Sequence, residues 1–600
     1  MMSTLLLVAK AFQLQILDQT YTVRAEATAI DKVVLYPARG LILDRNHKLL
    51  VGNQPVYDLM VTYNKIDPKM DTTLFCQLLG IEKSEFERRL DKDWSNPIYS
   101  KRKPFVFYDK LDPQTWARFQ EVLHEFPGFF IQKRNVRVYP YPHGAHVFGY
   151  LREVTYEELH KNKGYVMGDY IGANGLEWVY EKSLRGKKGA RYVLRDNLGR
   201  EIGSYRNHEL DTMPQAGQNL LTTIDIDLQA YAEKLLQNKK GAVVAIEPTS
   251  GEILAFVSAP SYDPNLMTIS RQRGKAYRQL LTDSLKPLFN RAIMAQYPPG
   301  SIFKTVVALS ALHNQVIEPH TYIPCPGYYS YGKDTRKCRQ HPAPFGIHIA
   351  LQWSCNTYFF TAFRRIVDKF GFYNPKPGYQ AFLKDVYAFG LGQPLGIDFP
   401  SEKEGNVPDI SYYDKLYPAQ LGGWKSPTIM SIGIGQGEIE LTTLQMANLA
   451  AIIANKGWYI TPHLGKALIA PDSTQTLLGP FAYHHTGIDS TLFQIIHQGM
   501  QRVVEAGTAR SAWVPDLPIA GKTGTVQNPH GKNHSTFIAF APIDKPQIAI
   551  AVYVENAGGG SAFAAPMAGL LIEYYLKGSI HPSRKFWENH ILQTNLVMAP

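Results

Sequence analysis

Cysteine is scarce: Cys76, Cys325, Cys338 and Cys355 are the only four in a chain of 600 residues. That excludes a disulfide-built scaffold, although three of them cluster in the sequence. There is no arginine-rich tract with interleaved aromatics, so nucleic acid is not an expected partner. No phosphate-cradling glycine loop and no Gly-x-Ser-x-Gly elbow occur, and no internal repeat is found. Long apolar runs are missing as well. Leu5-Leu6-Leu7-Val8-Ala9 is interrupted by Lys10 and followed by Gln13 and Gln15. A spanning helix needs roughly 20 apolar residues. The stretch also lacks the basic start and small-residue cleavage site of a signal peptide. It reads either as the stub of a membrane anchor or as a plain surface helix.

What is present is a globular composition, 45% hydrophobic and 19% charged, long enough for two or more domains. The formal net charge of +11 favours polyanionic surroundings such as a phospholipid surface or a wall polymer.

One stretch organises the rest. Tyr297-Pro298-Pro299-Gly300 breaks the preceding structure, and Ser301-Ile302-Phe303-Lys304 leads into the apolar run Thr305 to Leu309. On a helix beginning at Ser301, Lys304 shares its face and can touch it. A serine hydroxyl needs a base, and a lysine serves only where burial favours its neutral form. The positive end of the helix would favour negative charge on the serine oxygen. Ser-x-x-Lys alone is weak evidence, since Ser100-Lys101-Arg102-Lys103 fits it within a solvated charge run.

Residues 20 to 215 read as short strands and turns, with a helix opening at Gly175 through Leu176, Val179 and Tyr180. This region is expected to be scaffold. After the break at Met213-Pro214-Gln215, a strand is expected over Leu220 to Ile226 and a helix over Leu228 to Leu236. Gly241 to Ile246 and Glu252 to Val257 form a hairpin. Late strands are expected at Ile519 to Val526, Thr536 to Phe540 and Gln547 to Val554. Early and late strands with helices between them predict an antiparallel sheet covered by helices. The fold class is therefore multidomain α+β, with an extended N-terminal scaffold ahead of that sheet.

Two further motifs join the serine. Ser354-Cys355-Asn356 follows a helical run, and its serine can relay protons while its asparagine binds a substrate amide. Lys522-Thr523-Gly524-Thr525 lies on a late strand, where Thr523 and Thr525 point to one side and Lys522 to the other. Hydroxyls beside a lysine suit a substrate carboxylate. A backbone N–H of an edge strand, with that of Ser301, can form an oxyanion hole.

The order Ser-x-x-Lys, Ser-x-Asn, Lys-Thr-Gly resembles the penicillin-interacting serine acyltransferases, and most closely the class B penicillin-binding proteins of the elongation type. The resemblance runs from about Arg39 to Lys577. It includes the scaffold motifs Pro37 to Asn46, Arg137 to Tyr150 and Gly175 to Gly186, and the stretch Gly435 to Gln445. Pro298-Pro299 and Gln527 lean towards the elongation type over the division type. The resemblance implies the following division: residues 1–19 as the anchor stub, 20–215 as a pedestal of the dimerisation type, 216–580 as the transpeptidase domain and 581–600 as a tail.

It also implies D-Ala-D-Ala transpeptidation of peptidoglycan stem peptides. Ser301 would be the nucleophile, Lys304 the base, Ser354 and Lys522 the proton carriers, and Asn356 the holder of the donor peptide. Thr523 and Thr525, flanking Gly524, would bind the substrate carboxylate, with the N–H groups of Ser301 and Thr525 as oxyanion hole. β-Lactams would acylate Ser301. The expected partner is a RodA-type (SEDS) glycosyltransferase of the elongation complex. The expected location is the inner membrane, with the catalytic domain in the periplasm. Val526 stands where the family usually has alanine, and Thr443 where proline is usual. Neither departure touches the catalytic set. A β-lactamase, a β-lactam sensor and a division-type enzyme share the three motifs, and a bifunctional synthase would need a glycosyltransferase domain that the first 215 residues do not offer.

Cys325, Cys338, His341 and Cys355 are spaced Cys-x12-Cys-x2-His-x13-Cys. Three thiolates and an imidazole make a closed structural zinc site, and some elongation-type relatives resemble this in placing metal ligands around the middle motif. Cys355 should point away from Ser354 and Asn356. His348 is a rival ligand, and a Cys325–Cys338 disulfide with Cys355 inert is the alternative.

Overall fold

The computed structural model describes residues 30–597 apart from 96–99, 103, 112, 162–163, 167, 196–200, 269–271 and 343–345, together with residues 10, 12 and 13. The apolar stretch Leu5 to Ala9 and Lys103 lie outside the described residues. Among the described residues no helix is long and apolar enough to cross a membrane.

The scaffold is built on one long strand. Strands β1 (Ile42–Leu43), β3 (Phe105–Leu111) and β4 (Phe129–Val138) all pair antiparallel with β2 (Leu49–Val61). Helix α1 (Gly175–Val179) brings Glu177 against this sheet. Glu177 Oε1 lies 2.6 Å from Arg137 Nε, and its Oε2 accepts from Arg39 Nε at 2.8 Å. Arg137 also donates to Gly40 O at 2.7 Å and Asn53 Oδ1 at 2.8 Å. The three scaffold motifs of the sequence thus meet in one buried ionic cluster.

The second region begins with β5 (Asn219–Thr222) and α2 (Ile226–Leu235), which Asp225 caps through the N–H groups of Asp227 and Leu228. The expected hairpin follows as β6 (Gly241–Ile246) and β7 (Ile253–Ala259). Helix α3 (Lys304–His313) comes next. The cysteine-bearing loop contains the hairpin β8 (Tyr328–Tyr331) and β9 (Asp334–Lys337). Helices α4 (Ile347–Gln352), α5 (Asn356–Val367) and α6 (Thr443–Ala454) follow, then β10 (Gly465–Ile469) and α7 (Ser490–Ala506). The late strands are β11 (Ala520–Val526), β12 (His534–Ala541) and β13 (Ile548–Val554), and α8 (Ala564–Lys577) closes the domain.

These late strands complete a five-stranded antiparallel sheet in the order β7-β6-β13-β12-β11. Strands β6 and β13 are buried along their whole length, because helices cover both faces of the sheet. Ala242 and Val244 pack in one core with Val306, Leu309 and Met446 of α3 and α6. Val243 and Ala245 face the other way, into a core with Leu228 of α2 and Leu570 of α8. Helix α3 is mostly apolar after its first residue, and Lys304 through Leu312 are all buried, with the Thr305 and Ser310 hydroxyls hydrogen-bonded to Ile302 O and Asp385.

The scaffold and this region are not joined by a plain linker. Strand β5 pairs parallel with β1 and antiparallel with β10. The scaffold sheet therefore continues across the boundary expected near residue 215.

Candidate active site

Ser301 sits in a single 3-10 turn, Gly300–Phe303, that runs directly into α3. The regular helix begins at Lys304 rather than at Ser301. Gly300 has φ 58°, and a Cβ there would lie 3.2 Å from Thr525 O. Its N–H donates to Gly435 O at 2.8 Å. The turn is thereby pressed against β11, the edge strand that carries Lys522, Thr523, Gly524 and Thr525. Gly524 belongs to the same contact, since a Cβ on it would lie 3.0 Å from Pro299 O and 2.3 Å from the Thr536 side chain.

Lys304 is 0% exposed. Its Nζ donates to Ser354 O at 2.8 Å, Ser354 Oγ at 3.1 Å and Asn356 Oδ1 at 2.7 Å. The expected contact with Ser301 is not made, because these three acceptors use all the ammonium hydrogens. Burial lowers the Lys304 amine to about 8, against a smaller upward pull from Cys355 and Cys338.

Lys522 is also 0% exposed, and its Nζ donates to Ser354 Oγ at 3.0 Å and Thr523 O at 3.0 Å. Burial first, then the charges of Lys304 and Arg339, push its amine well below the ordinary lysine range. Strand alternation places Lys522 on the α3 side, opposite Thr523 and Thr525, as its position predicts. Ser354 occupies the bend between α4 and α5 with φ 55°, a left-handed conformation that turns its hydroxyl towards both lysines.

Thr523 Oγ1 and Thr508 Oγ1 lie 2.7 Å apart, and Thr525 Oγ1 accepts from Gly560 N at 3.3 Å. Ser301, Ser354, Asn356, Thr523 and Thr525 line one cleft of about 550 Å³. Ser100, whose Ser-x-x-Lys match lies in the charge run, accepts from the N–H of Arg102 in an exposed turn and does not line this cleft. The sequence reading missed Thr508, whose Gly-Thr context carries no distinctive pattern. It also missed Arg336, Lys337 and Arg339, which line the same cleft. Their signal was a basic run around Cys338.

The cysteine cluster lies directly behind the middle motif. The ligand atoms of Cys325, Cys338, His341 and Cys355 all fall within 4.8 Å of one another. All four cysteines of the chain are free thiols. Cys355 Sγ turns away from Ser354 and Asn356 and lies 3.9 Å from Cys338 Sγ. Two thiolates on one tetrahedral zinc ion stand roughly 3.8 Å apart, so the spacing fits. His341 Nδ1 bonds Pro342 O at 2.7 Å, which leaves Nε2 facing Cys338 at 3.5 Å. The Cys355 thiol and the N–H of Asn356 favour the thiolate at Cys338, and the same thiol contact keeps Cys355 protonated. His348 stands outside the cluster and packs on His320 at 6.1 Å.

The geometry agrees with what the chain resembles elsewhere. The penicillin-binding protein dimerisation domain family matches residues 34–222, and the penicillin binding protein transpeptidase domain family matches residues 241–573. Peptidoglycan D,D-transpeptidase MrdA of Acinetobacter baumannii is 33% identical, with 94% of this chain and 84% of the relative covered. A penicillin-binding protein (PBP2) from Helicobacter pylori, solved in complex with MreC, superposes with a TM-score of 0.75 at 25% identity, covering 92% of this chain and 100% of that one. A chain of a peptidoglycan synthase complex that coordinates polymerization and crosslinking superposes with a TM-score of 0.71 at 27% identity, covering 97% and 98%. This chain belongs to the class B penicillin-binding proteins, with the family's dimerisation domain ahead of its transpeptidase domain.

Proposed function

We propose that the chain is a peptidoglycan D,D-transpeptidase that cross-links stem peptides through an acyl-enzyme on Ser301. The observation that carries this reading is the convergence of two fully buried lysines on Ser354 Oγ, beside the Ser301 turn and in one cleft with Thr523 and Thr525. Ser301 Oγ attacks the penultimate D-Ala carbonyl and gives its proton to neutral Lys304. Catalytic hydrogen bonds are often long before substrate arrives, and Lys304 needs only to exchange one of its three acceptors for the Ser301 hydroxyl. The N–H groups of Ser301 and Thr525 hold the oxyanion. Ser354 and Lys522 return a proton to the leaving amine, and D-Ala departs. A second amine then attacks the ester and regenerates Ser301. Thr523 and Thr525 bind the terminal carboxylate, and Asn356 holds the donor peptide as well as Lys304.

Residues 20–215 act as the pedestal and 216–580 as the catalytic domain. Cys325, Cys338, His341 and Cys355 hold a structural zinc ion, which ties the middle motif to its loop and takes no part in acyl transfer. The enzyme works in cell elongation at the periplasmic face of the inner membrane, anchored through its N-terminal segment, with a SEDS-type polymerase. The similarity to chains solved with MreC and within a peptidoglycan synthase complex supports this setting.

Labelling with a fluorescent penicillin tests the chemistry. The wild type takes up one label per chain without sustained hydrolysis, and Ser301→Ala takes up none. Label retained on Ser301→Ala, or rapid turnover of the β-lactam, overturns the reading. Recovery of the native product in the soluble fraction overturns the anchor.

A further inference from the structure

The hairpin β8–β9 closes one side of the active-site cleft with positive charge. Arg336, Lys337 and Arg339 line the cleft beside Ser301 and Asn356, and among the described residues no aspartate or glutamate lines it. None of the three side chains pairs with a carboxylate of any described residue. Nearby Arg364, by contrast, is matched by Asp368 at 3.4 Å. Unpaired cations in a cleft call for an anionic ligand.

The hairpin is also fixed in place, as a recognition element must be. Its strands are in full register, with Tyr329 opposite Arg336. Asn356 Nδ2 donates to Lys337 O at 3.1 Å, and Arg364 Nη1 donates to Tyr329 Oη at 2.7 Å. The Arg364 guanidinium also lies over the Tyr331 ring, 4.3 Å from its centre. The hairpin is thus held against α5 through both strands, β9 at Asn356 and β8 at Arg364. Arg339 lines the cleft together with Ser301 and Ser354, and its charge is one of those that depress the Lys522 amine.

One carboxylate of the donor, its C-terminus, is already matched to Thr523 and Thr525. Two guanidinium forks exceed what that group requires, and each fits a carboxylate bidentately. We infer that Arg336 and Arg339 form a subsite for a second carboxylate on the donor stem peptide, carried by the residue immediately before D-Ala-D-Ala. This rests on the assignment of Ser301 as the acylated serine. The hairpin then sets donor specificity for a free acid over the corresponding amide.

The test compares two synthetic donors ending in D-Ala-D-Ala that differ only in a carboxylate or carboxamide on the preceding residue. Release of D-Ala by the full chain is measured as kcat/KM. The wild type should favour the acid by about 10–100-fold, the worth of charge-assisted hydrogen bonds to one group. Arg336→Gln with Arg339→Gln should bring that ratio close to one, mainly by slowing the acid donor. Arg336→Lys with Arg339→Lys should restore part of it. Equal donors in the wild type, or variants that slow both donors alike, overturn the subsite; the second result would assign the arginines to the terminal carboxylate. Penicillin labelling of wild type and of Ser301→Ala is run alongside. Labelling that survives Ser301→Ala defeats the acylation assignment itself and the subsite with it, whereas Ser301-dependent labelling with an unchanged acid-to-amide ratio defeats the subsite alone.

Discussion

Lys522 Nζ lies 3.0 Å from Ser354 Oγ, the oxygen that also accepts from Lys304 Nζ at 3.1 Å. A hydroxyl has two lone pairs and one proton. With both lone pairs taken, the Ser354 proton is left to face a third group, either the nucleophile or the leaving amine. Two amines so placed, both fully buried, cannot both hold a full charge cheaply, and each lowers the other's affinity for protons. The arrangement brings the amine next to the serine into a range where it loses its proton at mildly alkaline pH, with no carboxylate of a described residue bonded to either amine.

Acylation by a penicillin should therefore accelerate with rising pH. Lys304 titrates at about 8, lowered from the usual lysine range chiefly by burial. At pH 7 only about a tenth of it is neutral. The second-order acylation constant should rise as that amine loses its proton and level off above it. Stopped-flow rates across the titration give the profile, and a rate independent of pH would exclude Lys304 as the base.

Replacing Ser354 separates its hydroxyl from its backbone. Ser354→Ala leaves Lys304 its bonds to Ser354 O and Asn356 Oδ1, so the lysine stays in place. The proton path is lost, and acylation should slow by about 10²–10⁴-fold. Ser354→Gly should be as slow, yet more stable than Ser354→Ala by about 1 kcal/mol, because only glycine adopts φ 55° without strain. Acylation rates and thermal melts of both variants check this.

The motifs were legible because each is local. Lys522-Thr523-Gly524-Thr525 announces a strand by alternation, and Ala520–Val526 is that strand. The run Thr305 to Leu309 announces a buried helix, and α3 is buried on every side. What the sequence hid depends on long side chains and distant partners. Helical spacing places Lys304 beneath Ser301, yet its flexible chain reaches the bend at Ser354 instead. The break at Pro214 marks a change of segment, but β5 joins β1 through pairings no local pattern encodes. The basic run from Arg336 to Arg339 reads as a solvated face until the cysteine loop folds it over the cleft.

The buried scaffold carboxylate should govern acid stability. Burial raises the Glu177 carboxyl, but Arg137 and Arg39 outweigh it and hold the group below its ordinary range. A depressed carboxyl stabilises the fold above its unfolded value of about 4.5, and that contribution is lost as pH falls through the folded value. Glu177→Gln leaves two arginines without their shared charge and should cost about 3–5 kcal/mol near neutral pH. The variant should also lack the acid-dependent part of the wild-type loss. Urea unfolding at neutral and acid pH measures both, and a wild-type midpoint for the variant would contradict the role given to the cluster.

The thiol cluster gives the last prediction. Cys338 Sγ accepts the N–H of Asn356 at 3.1 Å, and Cys355 Sγ that of Tyr358 at 3.3 Å, so both sulfurs are already oriented by the start of α5. Such N–H···S contacts stabilise thiolates and prepare them for a cation. The purified chain should carry one zinc ion, with no Cys325–Cys338 disulfide on thiol counting after denaturation. Cys338→Ser, or removal of the metal by a strong chelator, should lower Tm by about 4 °C or more, since a structural zinc contributes folding free energy directly. Penicillin acylation should slow as well, because Asn356 loses its hold at both its N–H and its neighbouring hairpin. Protein without metal and with a Cys325–Cys338 disulfide would refute the site, and a Cys338→Ser variant with full zinc content would remove Cys338 from the ligand set.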